Sequence, residues 1–204
     1  MYRNTLGDRV SSTRRVGALL RRLTEREGRE MDSPKSRRLI ARFIATHGLD
    51  VGEFAASVES FGTFNEFFTR KLRAGARPIV AAGDPTVAVC PADCRLVVFP
   101  SVAAAQRIWI KGSEFTLEKL LGPRADLAER LVGGSIVVAR LAPQDYHRFH
   151  VPVDATLVSQ HPVPGVLLTV NPIAVRSAVN VFTENQRVVC EFRSAVCPSL
   201  FWMF

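Results

Sequence analysis

Hydrophobic positions near the start of the chain follow helical spacing. Val16, Leu19, Leu20 and Leu23 fall at i, i+3, i+4 and i+7, and arginines occupy the remaining arc. The pattern predicts a basic amphipathic helix. Such a helix can lie in a membrane interface or pack against a protein core, and the pattern alone does not choose between them.

Two further helices are predicted from their capping residues. Ser33 and Pro34 begin the first, and Gly48 ends it. Thr63 begins the second, with Glu66 three residues later as in a capping box. Their apolar faces, which we expect to be core, are Leu39, Ile40, Phe43 and Ile44 in the first and Phe64, Phe67, Phe68 and Leu72 in the second.

Beyond Pro78 the spacing of apolar positions changes to two, which is typical of strands. Helices followed by strands predict an α+β fold, with a helical N-terminal third and a β-rich, mostly antiparallel core that is incomplete at the C-terminus. We divide the chain into a basic segment at 1–30, a domain at 31–192 and a divergent hydrophobic tail at 193–204. The predicted strands are residues 86–99, 107–110, 135–141, 156–159, 166–170, 179–182 and 187–192.

Charge is concentrated at the front of the chain. Residues 1–42 carry a net +7 of the total +8, which indicates an anionic partner or a solvated basic face. No window approaches the roughly 18 to 20 apolar residues of a membrane-spanning helix, so we expect any membrane contact to be peripheral. Nucleic acid is not expected as a partner, because the basic segment lacks interleaved aromatic residues and contains no recognised nucleic-acid-binding motif.

The densest polar cluster is residues 144–150, directly after an apolar run. It holds His147 and His150, and histidine suits proton transfer near neutral pH. If the segment is extended, the two rings point to opposite faces and can take different roles. Structural histidines remain the alternative, and so does a zinc site in which Cys90 and Cys94 join the two histidines.

Longer motifs in the chain resemble those of the pyruvoyl-dependent phosphatidylserine decarboxylases, in order and at suitable spacing. The match covers about residues 31–192 and is strongest in the block Leu141–His150. The other matching segments are residues 31–36, 64–72 with 75–79, 91–93, 111–112 with 120–122, 152–154, and 170–172 with 180–182 and Asn185.

The resemblance implies an activity and a cofactor. The family converts phosphatidylserine to phosphatidylethanolamine and CO2 through a pyruvoyl group, made from a serine in a Gly-Ser-Thr loop near the C-terminus when the chain splits into two subunits. The pyruvoyl carbonyl forms a Schiff base with the substrate amine. The resemblance is also compatible with a homodimer, and it implies no metal.

Three residues match the family's functional positions. Asp93 and His150 correspond to the relay that activates the serine, in which the carboxylate orients the imidazole. His147 corresponds to the histidine that assists decarboxylation. The resemblance therefore implies Asp93, His147 and His150 as catalytic residues.

Two positions depart from the family. Cys94 stands where the family has glycine, and a side chain there would cost about 1–2 kcal/mol if the position needs positive φ. No Gly-Ser-Thr occurs in the sequence, and Ser135 of Gly133-Gly134-Ser135 is rejected because Ile136 follows it. We therefore expect a C-terminally truncated chain without a pyruvoyl-forming serine, inactive by itself.

A non-catalytic, peripheral lipid-binding or regulatory protein is the alternative function. In either case phosphatidylserine and an anionic membrane surface are the expected partners. The expected location is peripheral to a membrane: the mitochondrial inner membrane or an endomembrane in a eukaryote, and the cell membrane in a bacterium.

We predict that residues 14–29 bind anionic membranes and release them as salt rises. Attraction between exposed charges is screened, with a Debye length that falls from about 10 Å at 0.1 M to about 3 Å at 1 M salt. Sedimentation with vesicles of anionic or neutral lipid at several salt concentrations measures this. Equal binding to the two kinds of vesicle would contradict the prediction.

Overall fold

The computed structural model describes the backbone of residues 14–109, 116–167, 181–196 and 200–203, and side chains within residues 21–105, 116–167 and 182–196. These form two compact units, each built from segments distant in sequence. One contains Met1–Thr24, Val98–Val137 and Ala155–Phe204, and the other Glu25–Val97 and Val138–Asp154. Helices and antiparallel strands together confirm the α+β class.

Ten helices and five strands make up the described elements. The α-helices are α1 Arg14–Met31, α2 Leu39–His47, α3 Phe64–Phe68, α4 Val102–Trp109, α5 Leu117–Leu121 and α6 Val181–Glu184. The 3-10 helices are Pro34–Arg38, Val51–Glu53, Val58–Ser60 and Gly122–Leu131. The strands are β1 Arg95–Phe99, β2 Ile136–Arg140, β3 Thr156–Val163, β4 Arg187–Arg193 and β5 Leu200–Met203.

The second unit has a core of aromatic and aliphatic residues from the predicted helices. Ile40, Phe54 and Phe67 are buried there. Around them pack the partly buried residues Phe43, Ile44, Leu49, Val58, Phe61, Phe64 and Leu72. Both predicted apolar faces therefore contribute to one core, as expected, and edge-to-face contacts between the rings add to the burial of apolar surface.

The predicted helix caps are present in this unit. The Ser33 hydroxyl accepts a hydrogen bond from the Lys35 amide, and Gly48 adopts the left-handed conformation (φ 61°) that ends α2. The Thr63 hydroxyl accepts from the Glu66 amide at 3.1 Å, while the Glu66 carboxylate accepts from the amide of Gly62. These bonds satisfy amides that the helix itself cannot satisfy.

The first unit is built on an antiparallel sheet in the order β3-β4-β5. Its core residues are Leu121, Leu127, Ala128, Val163 and Val189. Buried Arg187 donates four hydrogen bonds to the carbonyls of Leu120, Lys119, Thr183 and Asn185. Because carbonyls occupy all three guanidinium nitrogens, this buried charge is well compensated.

The strand predictions are right in part. Strands β2 and β4 lie at the predicted positions, β3 runs four residues further, and only residues 95–99 of the predicted 86–99 are extended. Residues 86–94 are not extended, because the Asp84 carboxylate accepts from the Thr86 amide in a turn before them and Pro91 cannot donate to a strand ladder. Val166 makes only an isolated bridge to Asn185.

Two predicted strands are wrong where the structure describes them. Residues 107–109 belong to α4, which begins with Ser101 accepting from the Ala104 amide and contains three successive alanines. Residues 181–182 belong to α6, whose turn is held by Arg187 at the Thr183 carbonyl. Short apolar runs do not distinguish helix from strand. Residues 110, 168–170 and 179–180 lie outside the described part.

Helices α5 and Gly122–Leu131 lie between strands and were not predicted. Helix and strand segments therefore alternate in the later part of the chain. No helix within the described residues is both long and apolar enough to cross a membrane.

We predict that Phe67→Ala lowers the free energy of unfolding by about 3–5 kcal/mol, because it removes a fully buried ring and leaves a cavity. Denaturant unfolding measures the change. Val80→Ala, at a side chain that is 72% exposed, is the control and should change stability by less than about 0.5 kcal/mol. A small effect of Phe67→Ala would show that this core is not formed as described.

Candidate functional site

The segment with both histidines follows β2 and is braced by the end of α3. The His147 ring stacks on Phe68 with centroids 4.0 Å apart, and Arg148 Nε donates to the carbonyl of Thr69 at 2.8 Å. The predicted aromatic face of α3 is thus divided. Phe67 fills the core, and Phe68 forms the surface on which His147 rests.

His147 is half-buried and held by the backbone of its own turn. The Ala142 carbonyl lies 2.9 Å from Nε2, so Nε2 carries the donated hydrogen. Asp145 closes the same turn by accepting from the Ala142 amide. Burial lowers the pKa of His147, although the backbone hydrogen bonds and the Asp145 charge act in the opposite direction. His147 is therefore neutral at pH 7, with its lone pair on Nδ1.

His150 has different surroundings. It is exposed, its ring stacks on buried Tyr146 with centroids 5.8 Å apart, and its amide donates to the Pro91 carbonyl at 2.7 Å. The Val89 amide donates to the Pro152 carbonyl in the same way. These two backbone bonds place the His150 segment beside the turn that carries Asp93. The two histidines therefore have different partners, and their separate catalytic roles stay a prediction.

Asp93 is bound by a guanidinium. Arg77 Nε lies 2.9 Å from Oδ1, and Nη2 lies 2.6 Å from Oδ2, so the ion pair is bidentate. Arg77 also donates to both carboxylate oxygens of Glu53, at 2.8 and 3.0 Å. Hydrogen bonds to Asp93 and then Glu53 raise the pKa of Arg77, which stays charged. Arg77 therefore fixes the position of Asp93.

The structure brings Asp93, His147 and His150 into one compact unit. Within the described residues no hydrogen bond joins Asp93 to His150, so their relay stays a prediction. Ala81 is the one described non-glycine residue with positive φ. Cys94 thus carries no backbone strain of that kind, and the conditional cost of replacing glycine there does not apply.

Arg70 is a further charged residue whose role the sequence did not reveal. It is 5% exposed and lies over the rings of Phe54 and Phe67, 4.7 and 5.1 Å from their centroids. Its buried Nε and Nη1 have no hydrogen-bond partner among the described residues. Burial lowers the pKa of Arg70, and the charges of Asp93 and Glu53 oppose that shift. Arg70 and Arg77 both lie in segments that match the family, but the match itself assigns neither of them a function.

The zinc alternative gains no support. Among the described residues, no three His, Cys, Asp or Glu side chains are placed to hold a metal ion. Lys111, Gly112, residues 170–172 and Asn180, which contributed to the family resemblance, lie outside the described residues.

The arrangement can move protons and orient charge. Neutral His147 offers a lone pair at Nδ1 close to a stacked ring, exposed His150 is open to a second group, and Asp93 supplies a fixed negative charge. None of these groups can accept the electron pair that a departing carboxylate leaves. A decarboxylation at this site therefore needs a carbonyl from elsewhere.

Comparison with known proteins shows which family the chain matches. Residues 64–199 match the family described as phosphatidylserine decarboxylase. The chain is 48% identical over 192 residues to phosphatidylserine decarboxylase proenzyme 2 of Oryza sativa subsp. japonica, covering 93% of this chain and 30% of that protein. It is 45% identical over 189 residues to proenzyme 3 of Schizosaccharomyces pombe, covering 93% and 19%.

A bacterial relative is shorter. The phosphatidylserine decarboxylase proenzyme of Variovorax paradoxus is 40% identical over 161 residues, covering 78% of this chain and 56% of the relative. The chain thus spans about half or less of the length of these relatives.

We predict that His147 titrates below the ordinary histidine value of 6.5, because burial disfavours its charged form. The unfolded chain then binds the proton more readily, so stability attributable to His147 is present above pH 6.5 and is lost as pH falls through the lower folded pKa. NMR titration of the ring protons measures the midpoint. His147→Gln identifies the resonance and should weaken the acid loss of stability, whereas a midpoint at or above 6.5 would contradict the prediction.

Proposed function

Because this chain belongs to the phosphatidylserine decarboxylase family, we propose that it serves the conversion of phosphatidylserine to phosphatidylethanolamine and CO2. One observation carries the proposal. Asp93, His147 and His150 lie in a single compact unit, and all three fall within the residues that match the family. The activity, substrate and subunit processing are proposed together.

The proposal requires a pyruvoyl group, and the site's chemistry fits one. When present, its carbonyl supplies the electron acceptor that the side chains of the site lack. His147 and His150 are the residues that would contact it. Arg70, whose buried Nε and Nη1 have no hydrogen-bond partner among the described residues, adds a positive charge to the same unit.

Ser135 is not assigned as the serine that forms that group, because Ile136 follows it. Its hydroxyl donates to the Pro100 carbonyl at 3.2 Å. The sequence contains no Gly-Ser-Thr. We therefore propose that the 204 residues by themselves do not decarboxylate phosphatidylserine.

Asp93 and His150 are proposed to activate the serine. A carboxylate accepts about four hydrogen bonds, and Arg77 uses only two nitrogens on Asp93, so an acceptor position remains for an imidazole N–H. The Asp93 side chain is 30% exposed and can be reached. His150 would then take the proton of the serine hydroxyl, while Asp93 stabilises the imidazolium.

His147 is proposed to act in the decarboxylation itself. Its ring is oriented by the Phe68 stack and by the hydrogen bond to the Ala142 carbonyl, so Nδ1 has a fixed direction. The imidazole can take up a proton from solvent at Nδ1 and deliver it to the carbon that has lost CO2.

Peripheral membrane contact through α1 is part of the proposal. Leu23 is 53% exposed beside exposed Arg22, Arg26 and Arg29, an apolar group among cations on one helix. The same feature favours the alternative function, a lipid-binding protein without catalysis.

A chimera tests the function. The chain is joined to the remaining C-terminal segment of the Variovorax paradoxus relative, and cleavage and product are measured with labelled phosphatidylserine. We predict that the chimera splits and forms phosphatidylethanolamine, that Asp93→Asn and His150→Ala remain uncleaved, and that His147→Ala cleaves but turns over about 10² to 10⁴ times more slowly.

His161→Ala is the matched control, since His161 lies in β3 and contacts Arg124 in the other unit. It should cleave and turn over normally. Cleavage of Asp93→Asn or His150→Ala would overturn the assigned relay. Turnover by the 204-residue chain alone would overturn the need for a further serine, and vesicle binding without turnover by the chimera would favour the lipid-binding alternative.

A further inference from the structure

Two thiols flank the turn that carries Asp93. The Sγ atoms of Cys90 and Cys94 lie 3.8 Å apart, and the residues between them are Pro91, Ala92 and Asp93. Cys90 is exposed and its thiol donates to the Ala92 carbonyl at 3.2 Å, while Cys94 is half-buried. Both are free cysteines.

The backbone holds the two thiols in this arrangement. The Val89 amide donates to the Pro152 carbonyl, and the Pro91 carbonyl accepts from the His150 amide, which fixes the chain on the Cys90 side. On the other side, β1 begins at Arg95, immediately after Cys94. A disulfide needs sulfurs about 2 Å apart, so closure takes an approach of roughly 2 Å, within the reach of an exposed side chain.

The two sulfurs differ in burial. Burial, together with the neighbouring Cys90 thiol and the charges of Asp145 and Asp93, raises the pKa of Cys94 to about 11. Cys94 is therefore held as a thiol beside its partner. Cys90 is exposed, so an oxidant in solution can reach it first.

We propose that Cys90 and Cys94 form a reversible dithiol–disulfide site that takes a small disulfide such as glutathione disulfide and closes across the turn carrying Asp93. This inference stands apart from the proposed decarboxylase function, since it concerns the thiols alone. A metal site is not favoured, because no third ligand is placed beside the two sulfurs among the described residues.

The chemistry balances in two exchanges. Cys90 loses its proton to water and attacks one sulfur of glutathione disulfide, whose S–S bond breaks and releases one glutathione thiolate that takes up a proton. Cys94 then loses its proton to water and attacks the Cys90 sulfur, and the mixed disulfide breaks to release the second glutathione. Two protein thiols are oxidised, and one glutathione disulfide is reduced to two glutathiones.

Closure has a consequence for Asp93. The Cys90 thiol loses its hydrogen bond to the Ala92 carbonyl, and a covalent ring encloses residues 90–94. The bridge therefore restricts the backbone that positions the Asp93 carboxylate against Arg77. The site couples the thiol redox state to the rigidity of this turn.

Peptide mapping of the native 204-residue chain tests the proposal after incubation with glutathione disulfide below about 1 mM and quenching with an alkylating agent. The Cys90–Cys94 peptide should be two hydrogens lighter and unalkylated, and should exceed the singly glutathionylated form by at least ~10-fold, because a thiol in the same ring competes at an effective concentration of mM or more. A reducing agent should restore both thiols. Hydrogen exchange at the Ala92 and Asp93 amides should be slower in the bridged form.

Matched variants assign the steps. Cys94→Ser should stop at the glutathione adduct of Cys90, and Cys190→Ser, which removes a buried thiol elsewhere, should still form the Cys90–Cys94 bridge. Ring closure should also be faster in the native chain than in urea. A persistent glutathione adduct in the wild-type chain, pairing with Cys190 or Cys197, absence of any oxidation, or closure at the same rate in urea would each overturn the proposal.

Discussion

Burial of the Phe67 ring is the interaction on which the described site depends. Phe67 is fully buried, and α3 contains only five residues, so fixing this ring fixes every neighbour on the helix. Phe68 then stacks on His147, and Thr69 offers its carbonyl to Arg148. Because dense packing permits little adjustment, a disturbance of the aromatic core would be transmitted to the histidine segment without any direct contact with His147.

Two buried arginines show how the same side chain serves opposite purposes. Arg187 donates to four carbonyls at the ends of helical turns, so all three of its nitrogens are satisfied and it holds the backbone of the first unit in place. Arg70 keeps two buried nitrogens without partners and rests on aromatic faces. An unpaired buried donor costs stability. Arg70 therefore carries a buried positive charge that rests on the rings of Phe54 and Phe67, a difference that net charge alone does not reveal.

The sequence predicted the helical core well because caps and apolar spacing are local signals, as at Ser33, Gly48 and Thr63. It failed at residues 107–109 and 181–182, where short apolar runs suit either structure and helical turns are held by side chains that follow or precede the run, Ser101 and Arg187. The candidate site residues were predicted from their match to the family's motifs. The Arg77 ion pairs with Asp93 and Glu53 were not, because these partners are far apart in sequence and only the fold joins them.

Arg77 also limits what Asp93 can do. A guanidinium that engages both carboxylate oxygens fixes their direction but withdraws part of their negative charge from any other partner. An imidazolium at His150 would therefore be oriented well and stabilised less than by an unpaired aspartate. Glu53 moderates this effect, because it shares the same guanidinium and returns negative charge to the cluster. The ion pairs of Arg77 with Asp93 and Glu53 thus fix the direction of the Asp93 carboxylate, and they also weaken its attraction for any other cation.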